Sequence, residues 1–160
     1  MIRVQQEDFD VGAEVAALSA GNHAVGGVAV FIGVVRDMAG DEAIGAMTLE
    51  HYPGMTERML NSIEAEARER WPLEASLIIH RFGRLQPGER IVLVATASAH
   101  RHAAFEACEF LVDWLKTKAP FWKLEETAAG AKWVEARSSD DQAAARWHTG
   151  SKPDASDAAE

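Results

Sequence analysis

Residues 26–36, GGVAVFIGVVR, form a run of β-branched and small apolar residues that ends at a charged side chain. Branching at Cβ favours extended backbone, so the run predicts a strand that is buried in a sheet. It is too short for a membrane-spanning helix, which needs about 20 apolar residues. Residues 90–99, RIVLVATASA, have the same character and predict a second strand of this kind. Two such strands must be covered by other elements of the chain.

Helical spacing of apolar residues between the strands predicts these covering elements. Amphipathic helices are expected at 55–71 and 101–119, the second ended by Pro120, with a shorter helix at 10–20. The predicted buried stripes are Met55, Met59, Ile63 and Ala67 in the first long helix, and Phe105, Cys108, Leu111, Val112 and Leu115 in the second.

Further strands are expected at 44–52, 73–83, 121–126 and 131–137. Residues 26–36 and 44–52 are expected to pair as a hairpin, and residues 121–126 and 131–137 as another around the turn TAAG. The stretch QPGE before the strand at 90–99 has proline and glycine where a tight turn favours them. Hairpins with two interposed helices predict an α+β fold with a largely antiparallel sheet.

The length of 160 residues fits one domain, and we expect residues 1–147 to form it. Residues 148–160 are small, polar and acidic, which predicts a disordered tail. With 16 basic and 25 acidic residues the net charge is −9, which argues against nonspecific binding of nucleic acid or anionic membranes. The first ten residues lack an apolar signal core, so a cytoplasmic location is expected.

Several common functional signatures are missing from the sequence. Cys108 is the single cysteine, which excludes an intramolecular disulfide and a thiolate zinc site, and its place on an apolar stripe predicts a core residue. Phosphate-binding loops and a dinucleotide-binding glycine motif are absent, which argues against a nucleotide-binding enzyme. His100 and His102 lack further ligands at metal-site spacing, so no metal centre is predicted.

Cationic side chains instead gather at the ends of the predicted elements. They are Arg36, His100, Arg101, Lys116, Lys118, Lys123 and Arg137. Each one alone is typical of a solvated surface, and a lysine in the last turn of a helix is also favoured by the helix dipole. Because element ends converge on one edge of a fold, the set as a whole predicts an anion-binding pocket.

Helical geometry separates the cations of the helix at 101–119. At 100° per residue, Lys116 lies about 20° from Phe105, at the margin of the expected buried stripe, where partial burial suits an amine to proton transfer or nucleophilic attack. Lys118 points about 160° away from Lys116 and is expected to lie outside the same site. Arg101 lies roughly 22 Å from Lys116 along the axis. A site that uses both is therefore expected to take His100 and Arg101 from a second subunit.

Six segments of the sequence resemble the large, catalytic subunit of molybdopterin synthase. In order they are LEHYPGMTE (49–57), ERWPL (69–73), IIHRFGRLQPGE (78–89), SAHRHAAFEA (98–107), LKTKAPFWKLE (115–125) and WVEAR (133–137). The resemblance extends from about Gly26 to Trp147, and the segment after Trp147 departs from it. Several blocks in one fixed order are far more specific than any single motif.

The resemblance implies an α/β hammerhead with a mainly antiparallel sheet, two long helices and a small extra β subdomain. It also implies an enzyme that converts cyclic pyranopterin monophosphate to molybdopterin by inserting two sulfurs as a dithiolene. The sulfur is expected to arrive as a thiocarboxylate on the C-terminal Gly-Gly of a small ubiquitin-like carrier subunit, so no cofactor is expected. The implied assembly is a homodimer of this chain with one carrier at each outer end, a heterotetramer.

Carried over motif by motif, the resemblance assigns catalytic roles to Lys116 in LKTKAP and Lys123 in FWK. The residues implied to line the substrate pocket are Phe31, Arg36, His100, Arg101, Glu125 and Arg137. Lys116 is expected to act as a general acid or base, or to form a transient covalent link to the terminal carbonyl of the carrier. The alternative is a non-catalytic dimeric module that binds a ubiquitin-like tail or a phosphorylated metabolite, and turnover distinguishes the two.

Overall fold

A computed structural model of the chain describes residues 1–39, 41–134 and 138–148. The described elements are β1 (Ile2–Gln5), α1 (Val11–Ser19), β2 (Gly27–Val34), β3 (Met38–Ala39), β4 (Glu42–His51), α2 (Met55–Arg70), β5 (Leu73–Arg81), β6 (Gly83–Leu85), β7 (Arg90–Ser98), α3 (Arg101–Thr117), β8 (Phe121–Thr127), β9 (Gly130–Val134), α4 (Ser138–Ala145) and a 3-10 helix (Arg146–His148).

The first sheet has four strands in the order β1–β5–β7–β2 and carries the main core. β1 is parallel to β5, whereas β7 is antiparallel to both β5 and β2. One face is covered by α2 and α3, with Phe110 and Leu111 of α3 packed against Ile78 and Val94 of the sheet. The other face is covered by α1, under which Leu77 and Leu93 are buried.

The second sheet has five strands, with β3, β4, β8 and β9 in that order and β6 also paired to β4. Its pairings are antiparallel. A compact apolar cluster of Val35, Met47, Leu49 and Leu85 joins this sheet to the end of β2. The second sheet is the small extra β subdomain that the family resemblance implies.

The predicted α+β hammerhead is therefore confirmed in its main features. The two long helices, α2 and α3, contain 16 and 17 residues. Among the described strand pairings only the one between β1 and β5 is parallel, so the sheets are mainly antiparallel. The terminal hairpin is also confirmed, since β8 pairs with β9 around the turn that Gly130 closes with a φ of 124°.

The predicted hairpin between residues 26–36 and 44–52 is wrong. β2 pairs with β7 in the first sheet, whereas β4 pairs with β6 and β8 in the second. The segment between them forms its own small hairpin, in which Met38 and Ala39 pair with Ala43 and Glu42. The strand character of a segment is set locally, but its partner is chosen by contacts with distant parts of the chain.

The prediction that β2 is a buried strand is wrong for one of its faces. β2 lies at the edge of the first sheet, and α1 does not cover it. Val30, Ile32 and Val34 are consequently 40, 38 and 45% exposed. Phe31, on the opposite face, packs against the core beneath α3. The three exposed side chains form an apolar strip along an open strand edge.

The buried faces of the long helices are rotated from the predicted stripes. In α2 the buried residues are Thr56, Leu60, Ile63 and Ala67, and in α3 they are Ala103, Ala104, Ala107, Cys108, Phe110 and Leu111. Met55 and Phe105 are instead 40 and 65% exposed. Small alanine side chains let α3 approach the sheet closely, and this close contact determines which face of the helix is buried.

The last described residues pack against α3. The indole Nε1 of Trp147 donates to Oδ2 of Asp113 at 2.8 Å, and its ring meets Trp71 and Phe110 edge-on. His148, which the sequence assigns to the tail, closes the 3-10 helix. Residues 149–160 lie outside the described residues. None of the helices in the described ranges is long and apolar enough to span a membrane.

Candidate active site

The helix α3 packs antiparallel to β7, and this orientation determines which parts of β2 lie beside the two ends of α3. Thr96 Oγ1 donates to the carbonyl O of Ala104 at 2.6 Å, and Cys108 Sγ lies 3.9 Å from the carbonyl O of Val94. Because β2 is also antiparallel to β7, α3 runs in the same direction as β2. The start of α3 therefore lies beside the start of β2, and its end lies beside the end of β2.

Just before α3, the backbone of Ala99 lies so close to Gly26 that a side chain at position 26 would not fit. A Cβ atom at Gly26 would lie 2.1 Å from the carbonyl O of Ala99. His100 is the N-cap residue of α3, Arg101 is its first residue, and both are exposed. The close approach of Gly26 to Ala99 therefore lies immediately before these two predicted pocket residues.

At the other end of α3, Lys116 lies in the last helical turn. Its side chain is exposed, so the predicted partial burial of Lys116 is wrong for this chain. The reason is the rotated helix face, because Lys116 shares a flank of α3 with Phe105, which is 65% exposed. Arg36 is found at this same end, just beyond β2, and is exposed too.

Lys118 takes no part in this arrangement. It is the C-cap residue of α3, and its Nζ lies 3.5 Å from the centroid of the Trp114 ring. An ammonium over an aromatic face is attracted by the ring quadrupole. The helix remains intact through Thr117, so Lys116 and Lys118 point in different directions, as predicted. Pro120 follows, and the chain then turns into β8.

Lys123 and Glu125 lie on β8, where both are half-buried. Lys123 pairs directly with Leu49 of β4, and Glu125 pairs with Met47. Directly paired residues share a face of a sheet, so these two side chains lie on the face that carries the Val35 cluster. Val35 belongs to this cluster, and Arg36 is the next residue along the chain.

The predicted site is thus divided between two places in one chain. Arg36 follows the end of β2, Lys116 lies in the last turn of α3, and Lys123 and Glu125 lie on β8, the next strand along the chain. Phe31 lies on the face of β2 that packs under α3. His100 and Arg101 lie at the opposite end of the helix. Arg137 lies outside the described residues. Within the described ranges, no group of three or more His, Cys, Asp or Glu side chains is arranged to hold a metal ion.

His80 is a functional candidate that sequence reasoning missed. Its imidazole is buried in β5 and stacks on Phe121 of β8 with ring centroids 3.6 Å apart. Burial, followed by the positive charges of Lys123 and His51, lowers the pKa of His80 to about 4. The only signal in the sequence is a histidine placed inside the apolar run IIHRF, which by itself indicates a strand.

Cys108 is buried in the α3 core cluster, as predicted. Desolvation raises the pKa of its thiol to about 11. The thiol therefore stays protonated at neutral pH, when it is a weak nucleophile.

Comparison with known proteins gives one consistent family. The family model described as "MoaE protein" matches residues 4–118. A Pseudomonas aeruginosa protein named molybdopterin synthase catalytic subunit is 59% identical over 146 residues, which cover 91% of this chain and 97% of that protein. The molybdopterin biosynthesis MoaE protein from Burkholderia ambifaria superposes with a TM-score of 0.80 at 55% identity, covering 94% of this chain and 99% of that one.

A more distant structure has the same fold. It comes from Helicobacter pylori and is described as a complex of subunits 1 and 2 of molybdopterin-converting factor. Its TM-score is 0.70 at 21% identity, with 86% of this chain and 92% of that chain covered. The family model and the close relatives establish the membership that the six sequence segments indicate: this chain belongs to the MoaE protein family.

Proposed function

We propose that this chain is the catalytic subunit of a molybdopterin synthase. In this role it transfers sulfur from the C-terminal thiocarboxylate of a small ubiquitin-like carrier to cyclic pyranopterin monophosphate. Family membership and the names of the close relatives support the proposal. The structural observation that supports it is the order of elements around Pro120, which puts Lys116 in the last turn of α3 and Lys123 near the start of β8, the next element along the chain.

The proposed chemistry uses no cofactor, because the carrier brings the sulfur. In each transfer, a C–S bond forms between the thiocarboxylate sulfur and a carbon of the pterin side chain, while a C–O bond at that carbon breaks. Water then hydrolyses the acyl C–S bond, which leaves the sulfur on the product and an ordinary carboxylate on the carrier. Two carriers are consumed for each dithiolene, and every step is redox-neutral.

Within this reaction Lys116 acts as the general acid or base, because the departing oxygen needs a proton and the attacking water must lose one. Lys123 assists, while Arg36, Arg101 and Arg137 hold the phosphate by charge-assisted hydrogen bonds. Glu125 orients the polar pterin. A transient link between Lys116 and the carrier carbonyl is the alternative, and it would add the mass of the carrier to this chain during a single turnover.

The active unit is proposed to be a homodimer, with His100 and Arg101 supplied across the interface. One chain cannot bring Arg101 to Lys116, since the two residues stand at opposite ends of α3. The apolar strip of Val30, Ile32 and Val34 lies on an open strand edge that a second copy can cover. With one carrier at each outer end the assembly is a heterotetramer.

Residues 1–147 are proposed to act as a single catalytic domain in the cytoplasm. The alignment with the Pseudomonas aeruginosa relative covers 91% of this chain, in keeping with one continuous unit. Residues 149–160 lie outside the described residues, and no step of the proposed reaction uses them.

The test is turnover with purified chain, cyclic pyranopterin monophosphate and the carrier in two forms. With thiocarboxylated carrier we expect the dithiolene product to accumulate, with two carriers consumed for each product. With carrier ending in an ordinary carboxylate we expect none. Tight binding of the carrier without any consumption of the pterin would instead establish the non-catalytic binding module.

A further inference from the structure

A stacked pair of rings joins the two sheets beside the proposed site. His80 lies on β5 of the first sheet, and Phe121 is the first residue of β8 in the second sheet. Their centroids are 3.6 Å apart with an interplanar angle of 13°. His80 is only 5% exposed, so this contact is shielded from water. The stack therefore connects β5 directly to the start of β8.

The hydrogen bonding of His80 fixes the orientation of the ring, and burial keeps the ring neutral. Its Nδ1 lies 2.9 Å from the carbonyl O of Arg81. A carbonyl oxygen only accepts, so Nδ1 carries the proton and donates it. Burial, with a smaller contribution from the nearby positive charge of Lys123, lowers the pKa of His80 to about 4. At neutral pH the imidazole is therefore an uncharged, fixed aromatic surface.

Phe121 and Lys123 lie close together on the same strand. The two residues are separated by one position on β8, so their side chains lie on the same face of the strand. Phe121 pairs with His51, whose ring centroid is 6.0 Å from its own, and Lys123 pairs with Leu49. The Phe121 ring thus contacts two imidazoles immediately before the strand presents Lys123.

We infer that His80 is a positioning residue for Lys123, acting through its stack on Phe121. The stack holds the start of β8 in place. Because the imidazole of His80 is neutral, it adds no second positive charge beside the ammonium group of Lys123. This inference rests on the proposed function for the catalytic role of Lys123. The effect of His80 on the position of Lys123 does not depend on that function and can be measured without substrate.

The kinetic test compares His80→Phe, which keeps a neutral aromatic ring, with His80→Ala, which removes it. We expect His80→Ala to lower kcat by about tenfold or more with KM changed by less than about threefold, because small misplacements of a reacting group are costly. His80→Phe should restore kcat to within about threefold of the parent. In a Lys123→Ala background, His80→Ala should cost less than about twofold more. Equal losses in both backgrounds would show that His80 acts on the fold in general.

A second readout needs no substrate. The rate at which acetic anhydride labels Lys123, followed by mass spectrometry, should change by about threefold or more in His80→Ala and stay near the parental rate in His80→Phe. Lys118 and Lys132 serve as internal references. Unchanged labelling of Lys123 in His80→Ala would overturn the inference. Altered labelling in a protein that forms no product would instead leave the positioning role standing and defeat the proposed function.

Discussion

Arg101 and Lys116 occupy the first and last turns of one uninterrupted helix, α3. At 1.5 Å per residue they stand roughly 22 Å apart along its axis. An intact helix keeps these two residues at this distance, and a small-molecule substrate is too short to contact both of them. If both side chains serve the same reaction, one of them must come from a second copy of the chain.

Mixed dimers of Lys116→Ala and Arg101→Ala chains test this arrangement. In a shared site, one of the two sites of the heterodimer combines both substitutions and the other has neither. We therefore expect each homodimer to be inactive and the purified heterodimer to recover up to half of the parental activity. Product formation with thiocarboxylated carrier is the measurement. A heterodimer as inactive as its parents would place both residues in cis.

Gly26 is predicted to tolerate no side chain, because a Cβ there would lie 2.1 Å from the carbonyl O of Ala99. Gly26→Ala must push apart the backbone at the start of β2 and the start of α3. We expect a loss of about 3 kcal/mol in the free energy of unfolding, measured by urea denaturation. A loss below about 0.5 kcal/mol would mean that the two segments separate easily.

Gly45→Ala is the matched control for this clash. Gly45 is a strand glycine of β4, and a Cβ there would lie 3.7 Å from the carbonyl O of Glu126, an ordinary van der Waals distance. Replacing a strand glycine also reduces the entropy of the unfolded chain. The free energy of unfolding is expected to stay the same or to rise by up to about 1 kcal/mol.

Asp8 gives a prediction for stability against pH. Hydrogen bonds from Arg90 hold the pKa of Asp8 at about 2, below its ordinary value of 3.8. A depressed carboxyl pKa stabilises the fold above the unfolded pKa, and that contribution is lost as the pH falls from about 4 to about 2. Asp8→Asn should therefore lower Tm at pH 7 by no more than about 4 °C, since solvent screens the half-exposed pair.

The pH series supplies the control for this prediction. Asn keeps an acceptor for the N–H of Phe9, which donates to Asp8 Oδ1 at 2.9 Å, so the substitution removes charge with little change of shape. The difference in Tm between the two proteins should shrink below pH 4 and vanish near pH 2. A difference that stays constant down to pH 2 would rule out the carboxylate as its source.

Much of the fold follows from local patterns in the sequence. Pro120 ends α3 and separates Lys116 from Lys123, as its missing N–H and fixed φ require. The geometry that sets Lys118 apart from Lys116 is also a local property of the helix. The partner of β2 was not predictable in this way, because β2 and β7 are distant in sequence. The short strands β1, β3 and β6, and the helix α4, carry too little pattern to be predicted.

The candidate site shows the same division between local and distant effects. Sequence motifs pointed to Lys116, Lys123 and Arg36 as candidates. They did not predict that Lys116 is exposed, because the packing of the alanines of α3 determines which side of the helix faces the sheet. His80 was missed since a histidine within an apolar run gives no sign of its partner. Only the contact between β5 and β8 shows that it faces Phe121.

The most direct test of the account compares Lys116→Ala with Lys118→Ala in single turnover. The two lysines are two residues apart, but Lys118 is held over Trp114 with its Nζ 3.5 Å from the ring centroid. We expect Lys116→Ala to slow dithiolene formation by about 10²- to 10⁴-fold, the usual contribution of a general acid or base, and Lys118→Ala to change it less than about twofold. A Lys116→Ala protein that forms product at the parental rate would contradict the assignment.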